Sequence, residues 1–275
     1  MARALTSEQL RAFREDGVAH VPAAVDSEWV ERLLAVADQR LANPGEWVND
    51  ANPGNERNRM FTERYMWQSN PVINDFVFHS GCGELAGQAM GSQAVRFYFD
   101  HLLIKEPATD AVTPWHQDIP YWPFMGKQVC SIWLALTDAT VEQSAMEFVR
   151  GSHIGGSYYR PEVFNARADH PNAWADEAAG EPLPDIEGNR DAFDIIGYDV
   201  AAGDAVIFSA WVLHGARGNN STGQRRVALS TRWLGDDARW TPKEGSDPTV
   251  DPADVSVAPG DYPADDKLFP QVWPC

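Results

Sequence analysis

The sequence lacks a cysteine framework, a long apolar run and an excess of positive charge, and each absence excludes a class of protein. Its three cysteines, Cys82, Cys130 and Cys275, are an odd number without zinc-type spacing, so we interpret them as reduced thiols. No stretch has the length of a membrane span, and the first residues lack the apolar run of a signal peptide. We therefore expect a cytoplasmic protein without a membrane partner.

Positive charge is scarce, since 22 lysines and arginines stand against 40 acidic residues, for a formal net charge of -18. Nucleic-acid binding needs a basic surface that neutralises phosphates, so this balance argues against a nucleic-acid partner. It also disfavours a polyanionic substrate, although a local basic pocket can override the net charge. A small molecule is the expected substrate, and the sequence leaves the oligomeric state open.

The 275 residues can bury a large core, because 44% of them are hydrophobic and 11% are aromatic. No Gly/Ser-rich or charge-rich linker divides them, so we predict one domain over residues 1–275. Helical patterns fill its N-terminal part, about 1–92, and β-type alternation fills about 93–235. Residues 236–275 form an irregular tail with an apolar end that can dock back. Helices followed by many short strands predict a mainly β fold with a helical buttress.

Local signals predict several individual elements. Thr6 begins a capping box, and Gly17 is placed to end the helix that follows. Residues 43–58, rich in Asn, Gly and Pro, are predicted to be a loop. Residues 161–194 are predicted to be a long insertion, of the kind that often forms a lid or a binding loop. The run 95–105 is a strand, and its period of two predicts one face made of Phe97, Phe99, His101 and Leu103.

The stretch 113–118, Thr-Pro-Trp-His-Gln-Asp, carries the first chemical signal. His116 and Asp118 lie two positions apart, so on an extended strand both side chains leave the same face and can bind one ion. His214 lies where another buried strand ends. Two imidazoles and one carboxylate on one side of a metal suit non-haem Fe(II) and O2 chemistry. Taken alone, however, a His-x-Asp triplet is common, and a histidine at a strand end often bonds a backbone carbonyl.

Arg225 is a more discriminating residue because of the strand pattern that follows it. A period of two places it with Val227, Leu229, Thr231 and Trp233, whereas the other face carries Arg226, Ala228, Ser230 and Arg232. An arginine on the apolar face is costly unless a carboxylate meets it. That carboxylate belongs either to an acidic residue of the protein or to a small dicarboxylate cosubstrate that also chelates the iron.

Several blocks of the sequence together resemble the phytanoyl-CoA dioxygenase family. In order they are residues 113–118, 133–138, 150–153, 203–204 leading to His214, and Arg225 with 228–230. The helical opening is similar to the start of that family as well. The resemblance spans about the first 235 residues, and the combination of blocks is far more specific than any one of them.

The resemblance implies a double-stranded β-helix, a jelly roll of the cupin-like kind, with helices on its larger sheet. It implies that His116, Asp118 and His214 are the Fe(II) ligands, and that 2-oxoglutarate and O2 are the cosubstrates. Arg225 would then hold the distal carboxylate of 2-oxoglutarate, and Trp133 would lie near it.

The resemblance also implies positions that contact the substrate. Trp122 corresponds to a residue in the active-site wall of the related ectoine hydroxylases, and His101 and Leu103 match inward positions there. Tyr121 belongs to an aromatic run that would place apolar surface at the pocket mouth, with core packing as the alternative. The sequence departs from the family at Ala216, where relatives often carry a serine that also binds the distal carboxylate.

The implied reaction is hydroxylation of a small or medium-sized metabolite, with release of succinate and CO2. Halogenases on this scaffold have a small residue at the carboxylate position, so Asp118 favours hydroxylation. Desaturation and rearrangement stay open, as does the identity of the substrate. Two other classes remain as alternatives: a cupin-like metal-dependent hydrolase or isomerase, and a jelly-roll binding module without redox chemistry.

Overall fold

Helix boundaries in the described part of the chain follow the capping signals of the sequence. The structure is a computed structural model and describes residues 4–161, 180–243, 246–247 and 249–274. Thr6 closes a capping box with Gln9, and Gly17 ends that helix with a φ of 85°. Asp26 and Asn70 cap two others through their side-chain oxygens. The helices are α1 (Ser7–Asp16), α2 (Ser27–Ala42), α3 (Pro71–His79) and α4 (Cys82–Met90).

The described residues also form fourteen strands, which pair antiparallel in three sheets. The strands are β1 (Val18–Val21), β2 (Val48–Ala51), β3 (Met60–Arg64), β4 (Val95–Lys105), β5 (Thr113–His116), β6 (Phe124–Met125), β7 (Val129–Ala135), β8 (Met146–Val149), β9 (Ile195–Gly197), β10 (Ala205–Ser209), β11 (His214–Ala216), β12 (Arg226–Leu234), β13 (Arg239–Trp240) and β14 (Gln271–Trp273). The larger sheet has the order β1-β10-β7-β12-β4-β3-β2, with β14 added to β4, and the smaller has the order β5-β11-β8-β9. This arrangement confirms the predicted mainly β jelly roll.

The central strands of the larger sheet are buried on both faces. Val227, Leu229 and Trp233 of β12 pack into one apolar cluster with residues of all four helices. Ala228 belongs to a second cluster with Trp133, on the opposite face of the sheet. All nine residues of β12 are buried. Hydrophobicity alone therefore does not distinguish the helix side of this strand from the barrel interior.

The predicted alternation of β4 is interrupted by a bulge. Phe97 packs on the helix side of the sheet, whereas Phe99 belongs to a different cluster in the interior. Asp100 pairs with Thr231 of β12, and Phe97 pairs with Trp233. Between these two pairs β4 has two residues and β12 has one, which defines the bulge. The prediction that Phe97 and Phe99 share a face is wrong, because the extra residue reverses the alternation at this point.

Other predictions for the connecting segments have mixed outcomes. The predicted loop 43–58 contains β2, which pairs with β3 and was missed. The apolar C-terminal end does dock back, through pairing of β14 with β4. Of the predicted insertion, residues 162–179 lie outside the described residues, and Glu187–Ala192 form a 3-10 helix. The single domain stays a prediction.

Two further sequence interpretations concern the cysteines and the membrane. Cys82 and Cys130 are free thiols and are buried, whereas Cys275 lies outside the described residues. Among the described residues, none of the helices has both the length and the apolar character needed to cross a membrane.

Candidate metal centre

The pairing of β5 with β11 brings two histidines side by side. His116 ends β5, His214 begins β11, and the two are partners across this antiparallel pair. Their ring centroids are 4.2 Å apart. His214 is almost fully buried, with 2% exposure, and its ring lies 4.7 Å from that of Phe208. The imidazoles are therefore held by the sheet rather than by a mobile loop.

Asp118 reaches the histidines because the chain turns immediately after β5. The strand ends at His116, and Asp118 has helical backbone angles, φ -75° and ψ -39°, at the start of the 3-10 turn Ile119–Tyr121. Its Oδ1 lies 3.7 Å from His116 Nε2 and 3.8 Å from His214 Nε2. The predicted convergence is therefore present, although a turn and not a continued strand produces it.

Hydrogen bonds on the far side of each ring fix which nitrogen faces the centre. His116 Nδ1 lies 2.8 Å from the carbonyl of Pro114, and His214 Nδ1 lies 3.0 Å from the carbonyl of Val212. A carbonyl only accepts, so each Nδ1 carries the hydrogen and donates it. Both Nε2 lone pairs are consequently directed towards Asp118.

The ionisation of His214 and Asp118 suits a cation. Burial and the neighbouring His116 lower the pKa of His214 to about 3, so this imidazole is neutral at pH 7. Burial raises the pKa of Asp118, but the interactions with His214 and His116 outweigh it and the net shift is downward. One donor atom from each residue lies within 4.8 Å of the others. Two imidazole nitrogens and one carboxylate oxygen on one side fit Fe(II) in a facial arrangement.

Ser131 of β7 orients the carboxylate. Its hydroxyl donates to Asp118 Oδ2 over 2.7 Å, and the serine is fully buried. The bond occupies Oδ2 and leaves Oδ1, the oxygen nearer both imidazoles, as the metal-facing atom. Ser131 is thus a positioning residue for the metal site.

Replacing Ser131 with alanine is expected to weaken Fe(II) binding by about 10- to 100-fold, the usual effect of losing an outer partner of a metal ligand. Calorimetric titration of the apoprotein with Fe(II) under anaerobic conditions measures this loss. Ser92→Ala is the matched control, because that buried hydroxyl donates to the carbonyl of Ala94. Equal iron affinities in the two variants would show that Ser131 does not orient the ligand.

Arg226, the first residue of β12, places a buried guanidinium in the barrel interior. It is buried at 3% exposure and has Cζ 5.7 Å from the centroid of the Trp133 ring. Nη1 donates to the carbonyl of Leu103 over 2.9 Å, and Nη2 to Ser144 Oγ over 3.3 Å. Nε has no partner among the described residues. Burial lowers the Arg226 pKa to about 10, which leaves the guanidinium charged at pH 7.

The prediction that Arg225 faces the site is wrong. Its side chain is 37% exposed, and Nη2 donates to Asp38 Oδ1 of α2 over 2.6 Å. The alternation itself was correct, since Val227 and Leu229 do share a face, but that face packs against the helices. The barrel interior is instead lined by the face that begins with Arg226.

Lys105 adds a second buried basic side chain next to Arg226. The two residues are partners in the pairing of β4 with β12, and Lys105 is fully buried. Its Nζ donates to the carbonyl of Arg217, the residue after Ala216, over 2.8 Å. Burial, and then the charge of Arg226, lower the pKa of Lys105. Within the described residues, both side chains donate only to backbone carbonyls and a hydroxyl, so this end of the interior is suited to an anion from solution.

The remaining predicted site residues gather around the triad and Arg226. Leu103 and His101 lie opposite Ala228 and Ser230 of β12, on the interior side of β4. Burial and then the charge of Arg232 lower the pKa of His101.

Aromatic residues supply the rest of this wall. Tyr121 lies edge-on to His116, with ring centroids 5.8 Å apart, and Trp122 packs against Phe99 at 6.0 Å. Trp133 lies on the interior face of β7, opposite Ser230. The structure thus brings every predicted site residue to the interior except Arg225, and their individual roles stay predictions.

Sequence reasoning missed four interior residues: Lys105, Ser131, Arg226 and Arg232. One signal for two of them was present, because Arg226 and Arg232 share a face with the small residues Ala228 and Ser230. A face with small side chains leaves room for a ligand, whereas a face of Val, Leu and Trp fills a core. No comparable local signal marked Lys105 or Ser131.

Comparison with known proteins agrees with this geometry. Residues 13–227 match the family model described as phytanoyl-CoA dioxygenase (PhyH). A multifunctional dioxygenase of Penicillium brasilianum, prhA, is 27% identical over 244 residues, a match that covers 83% of this chain and 72% of that protein.

Two solved structures are similar over most of the chain. SnoK, a non-heme alpha ketoglutarate dependent carbocyclase from nogalamycin biosynthesis, has a TM-score of 0.74 at 26% identity, covering 98% of this chain and 96% of SnoK. EctD from S. alaskensis, solved with 2-oxoglutarate and 5-hydroxyectoine, has a TM-score of 0.69 at 16% identity, covering 94% of this chain and 86% of EctD. The second likeness concerns the fold alone.

Proposed function

Since the chain belongs to the phytanoyl-CoA dioxygenase family, we propose that it hydroxylates a small or medium-sized metabolite with release of succinate and CO2. Fe(II) and 2-oxoglutarate are its cofactor and cosubstrate, in keeping with the neighbouring structures and with the His-Asp-His triad. The convergence of His116, Asp118 and His214 on one point is the observation that carries the proposal.

The chain's own residues prepare the metal site for this chemistry. The carbonyls of Pro114 and Val212 orient the imidazoles, and Ser131 orients Asp118. Three protein donors on one side leave the opposite side for the cosubstrate and O2. When bound, the iron with 2-oxoglutarate supplies oxidation of a C–H bond by O2.

Arg226 is proposed to hold the distal carboxylate of 2-oxoglutarate, in the role first expected of Arg225. A buried guanidinium with a free Nε and no carboxylate partner among the described residues supports this role. Lys105 is proposed to supply a second hydrogen-bond donor beside it. Its Nζ bonds the backbone next to Ala216, so it lies close to the position where relatives often carry a serine.

The substrate is proposed to lie on the aromatic side of the metal. His101, Leu103, Tyr121 and Trp122 are the candidate contacts, and Trp133 is a candidate contact of the cosubstrate. Closely packed rings around the triad favour exclusion of water from the reacting atoms. An apolar substrate body fits such a lining better than a highly hydrated one.

Two reactions on this site have support. Asp118 favours hydroxylation over halogenation, because its carboxylate occupies the position that a halide would need. The likeness to SnoK, which is described as a carbocyclase, favours oxidative ring closure as the second candidate. The products differ in composition, since hydroxylation adds one oxygen atom and ring closure removes two hydrogen atoms.

A succinate-release screen over a metabolite library, followed by mass analysis of each product, tests the proposal. We expect succinate release that depends on Fe(II), 2-oxoglutarate and one class of substrate, with a product heavier by one oxygen atom. The His214→Ala variant is the negative control, because it lacks one residue of the triad and should release no succinate. Turnover that persists without 2-oxoglutarate, or that Zn2+ supports, would favour the hydrolase or isomerase alternative.

A further inference from the structure

Arg232 is held beside the metal triad by both neighbouring strands. On one side it is the partner of Ser131 in β7, whose hydroxyl donates to Asp118. On the other side the bulge of β4 sets two residues, Tyr98 and Phe99, opposite Arg232. Bulges are common next to active sites, where they re-aim a side chain. Arg232 therefore lies next to a metal ligand without being one.

Two hydrogen-bond donors of Arg232 have no acceptor within the described residues. The residue is buried at 6% exposure, yet Nε and Nη1 have no partner among the described residues. Its Cζ lies 4.8 Å from the centroid of the Phe99 ring and 5.7 Å from that of the Trp122 ring. Aromatic faces attract a cation but do not accept bonds in the plane of the guanidinium. A buried charge in this condition is costly.

Other buried cations of the described chain have acceptors. Arg96 donates to Asp266 and to the carbonyl of Phe269, whereas Lys105 and Arg226 each donate to a backbone carbonyl. Asp118 opposes the lowering of the Arg232 pKa that burial causes, but no ion pair joins these two residues. The guanidinium thus differs from a structural one, because it lies against two aromatic rings while Nε and Nη1 have no acceptor within the described residues.

We propose that Arg232 binds an anionic oxygen group of the substrate, a carboxylate carried on an apolar body, next to the metal. This inference rests on the proposed function, since it names the substrate class of the same site. A planar carboxylate matches the fork of N–H donors that a guanidinium presents. Phe99 and Trp122, whose rings lie against the guanidinium, supply contacts for the apolar body.

The site for this carboxylate is distinct from the cosubstrate site at Arg226. The two arginines lie six positions apart on the same face of β12, which separates their Cα atoms by about 20 Å at the usual strand rise. One arginine is paired with Lys105 of β4 and the other with Ser131 of β7. The metal-facing end of the strand would thus receive the substrate acid, and the far end the cosubstrate acid.

The stability of two variants separates a binding role from a structural one. Arg232→Met and Arg232→Gln remove a buried charge whose Nε and Nη1 have no acceptor within the described residues, so we expect both to raise the thermal unfolding temperature of the metal-loaded protein by about 2–4 °C. A lower unfolding temperature in both variants would mean that the guanidinium stabilises the fold, and would overturn the proposal.

Ligand binding by the intact protein tests the chemistry directly. The probes are benzoate, cinnamate and 2-naphthoate, each paired with its neutral amide, titrated anaerobically by calorimetry into the Fe(II) and 2-oxoglutarate complex. We expect at least one carboxylate to bind about tenfold or more tightly than its amide, because a charge-assisted bond replaces a neutral one. Arg232→Gln should abolish that preference, and Arg232→Lys should retain part of it.

Two outcomes would overturn the inference while leaving the proposed function intact. One is a wild-type protein that binds 2-oxoglutarate but does not prefer any of these carboxylates over its amide. The other is an Arg232→Gln variant whose loss falls on 2-oxoglutarate affinity, which would assign Arg232 to the cosubstrate. Failure of the wild-type protein to bind Fe(II) and 2-oxoglutarate at all would contradict the proposed function itself.

Discussion

Replacing Arg226 with alanine is expected to raise the 2-oxoglutarate concentration for half-maximal turnover by about 100-fold or more, since removing one partner of a buried charge pair costs about 3–5 kcal/mol. The guanidinium is buried, and its Nε has no partner in the part of the chain that the structure describes. A carboxylate that arrives there would lose its main donor in the variant. Initial rates of succinate formation as a function of 2-oxoglutarate concentration measure the effect.

Arg225→Ala is the matched control, one position along the chain. Arg225 is partly exposed and pairs with Asp38, and such a surface ion pair contributes about 0–1 kcal/mol. We therefore expect its 2-oxoglutarate requirement to stay within about twofold of the wild-type value. The reverse pattern, with Arg225→Ala impaired and Arg226→Ala intact, would return the cosubstrate role to Arg225.

Replacing His214 with alanine is expected to abolish stoichiometric iron binding. The residue provides one of three donors that lie within 4.8 Å of one another, and the two that remain cannot form a facial set. The expected loss of Fe(II) affinity exceeds the factor of about 10–100 that follows removal of an outer partner. Metal content after anaerobic loading and gel filtration measures it, and His116→Ala should behave in the same way.

His79→Ala controls for the loss of a histidine as such. His79 ends α3, is 70% exposed, and pairs with Asp75 on the same helix. We expect this variant to retain one iron per chain. Full iron occupancy and turnover in His214→Ala would remove His214 from the metal site, and with it the assignment of the triad.

The triad could be predicted from the sequence because its signals are local. His116 and Asp118 lie two positions apart, and His214 follows a buried run that ends at a turn. The spacing was informative even though its explanation was incomplete, since β5 ends at His116 and a 3-10 turn brings Asp118 back. Residue types and spacing thus predicted a metal site of two histidines and one carboxylate. The structure was needed to show that a turn after β5 brings Asp118 to the histidines.

The sequence prediction placed Arg225 instead of Arg226 in the interior for a physical reason. A period of two divides a strand into two faces, but it does not say which face lies inside the barrel. Here the helices cover the outer face of β12, so both faces are buried and the more apolar one packs against the helices. The polar and small residues from Arg226 to Arg232 line the interior instead.

Long-range pairing explains what remained beyond sequence reasoning. The bulge opposite Arg232 arises from the register between β4 and β12, and neither strand alone reveals it. In the sequence, Lys105 is an ordinary lysine at the end of a strand. Only the register between β4 and β12 shows that it is the partner of Arg226. The same holds for Ser131, which meets Asp118 only after the two sheets have packed.

Anaerobic titration of the metal-free protein with Fe(II) and then 2-oxoglutarate tests the central claim most directly, because it reports simultaneous binding of metal and cosubstrate at one site. The wild-type protein should develop a broad, weak charge-transfer absorption band in the green, and His116→Ala should not. A wild-type protein that gives no such band and instead retains Zn2+ tightly would contradict the assignment of a 2-oxoglutarate-dependent iron site.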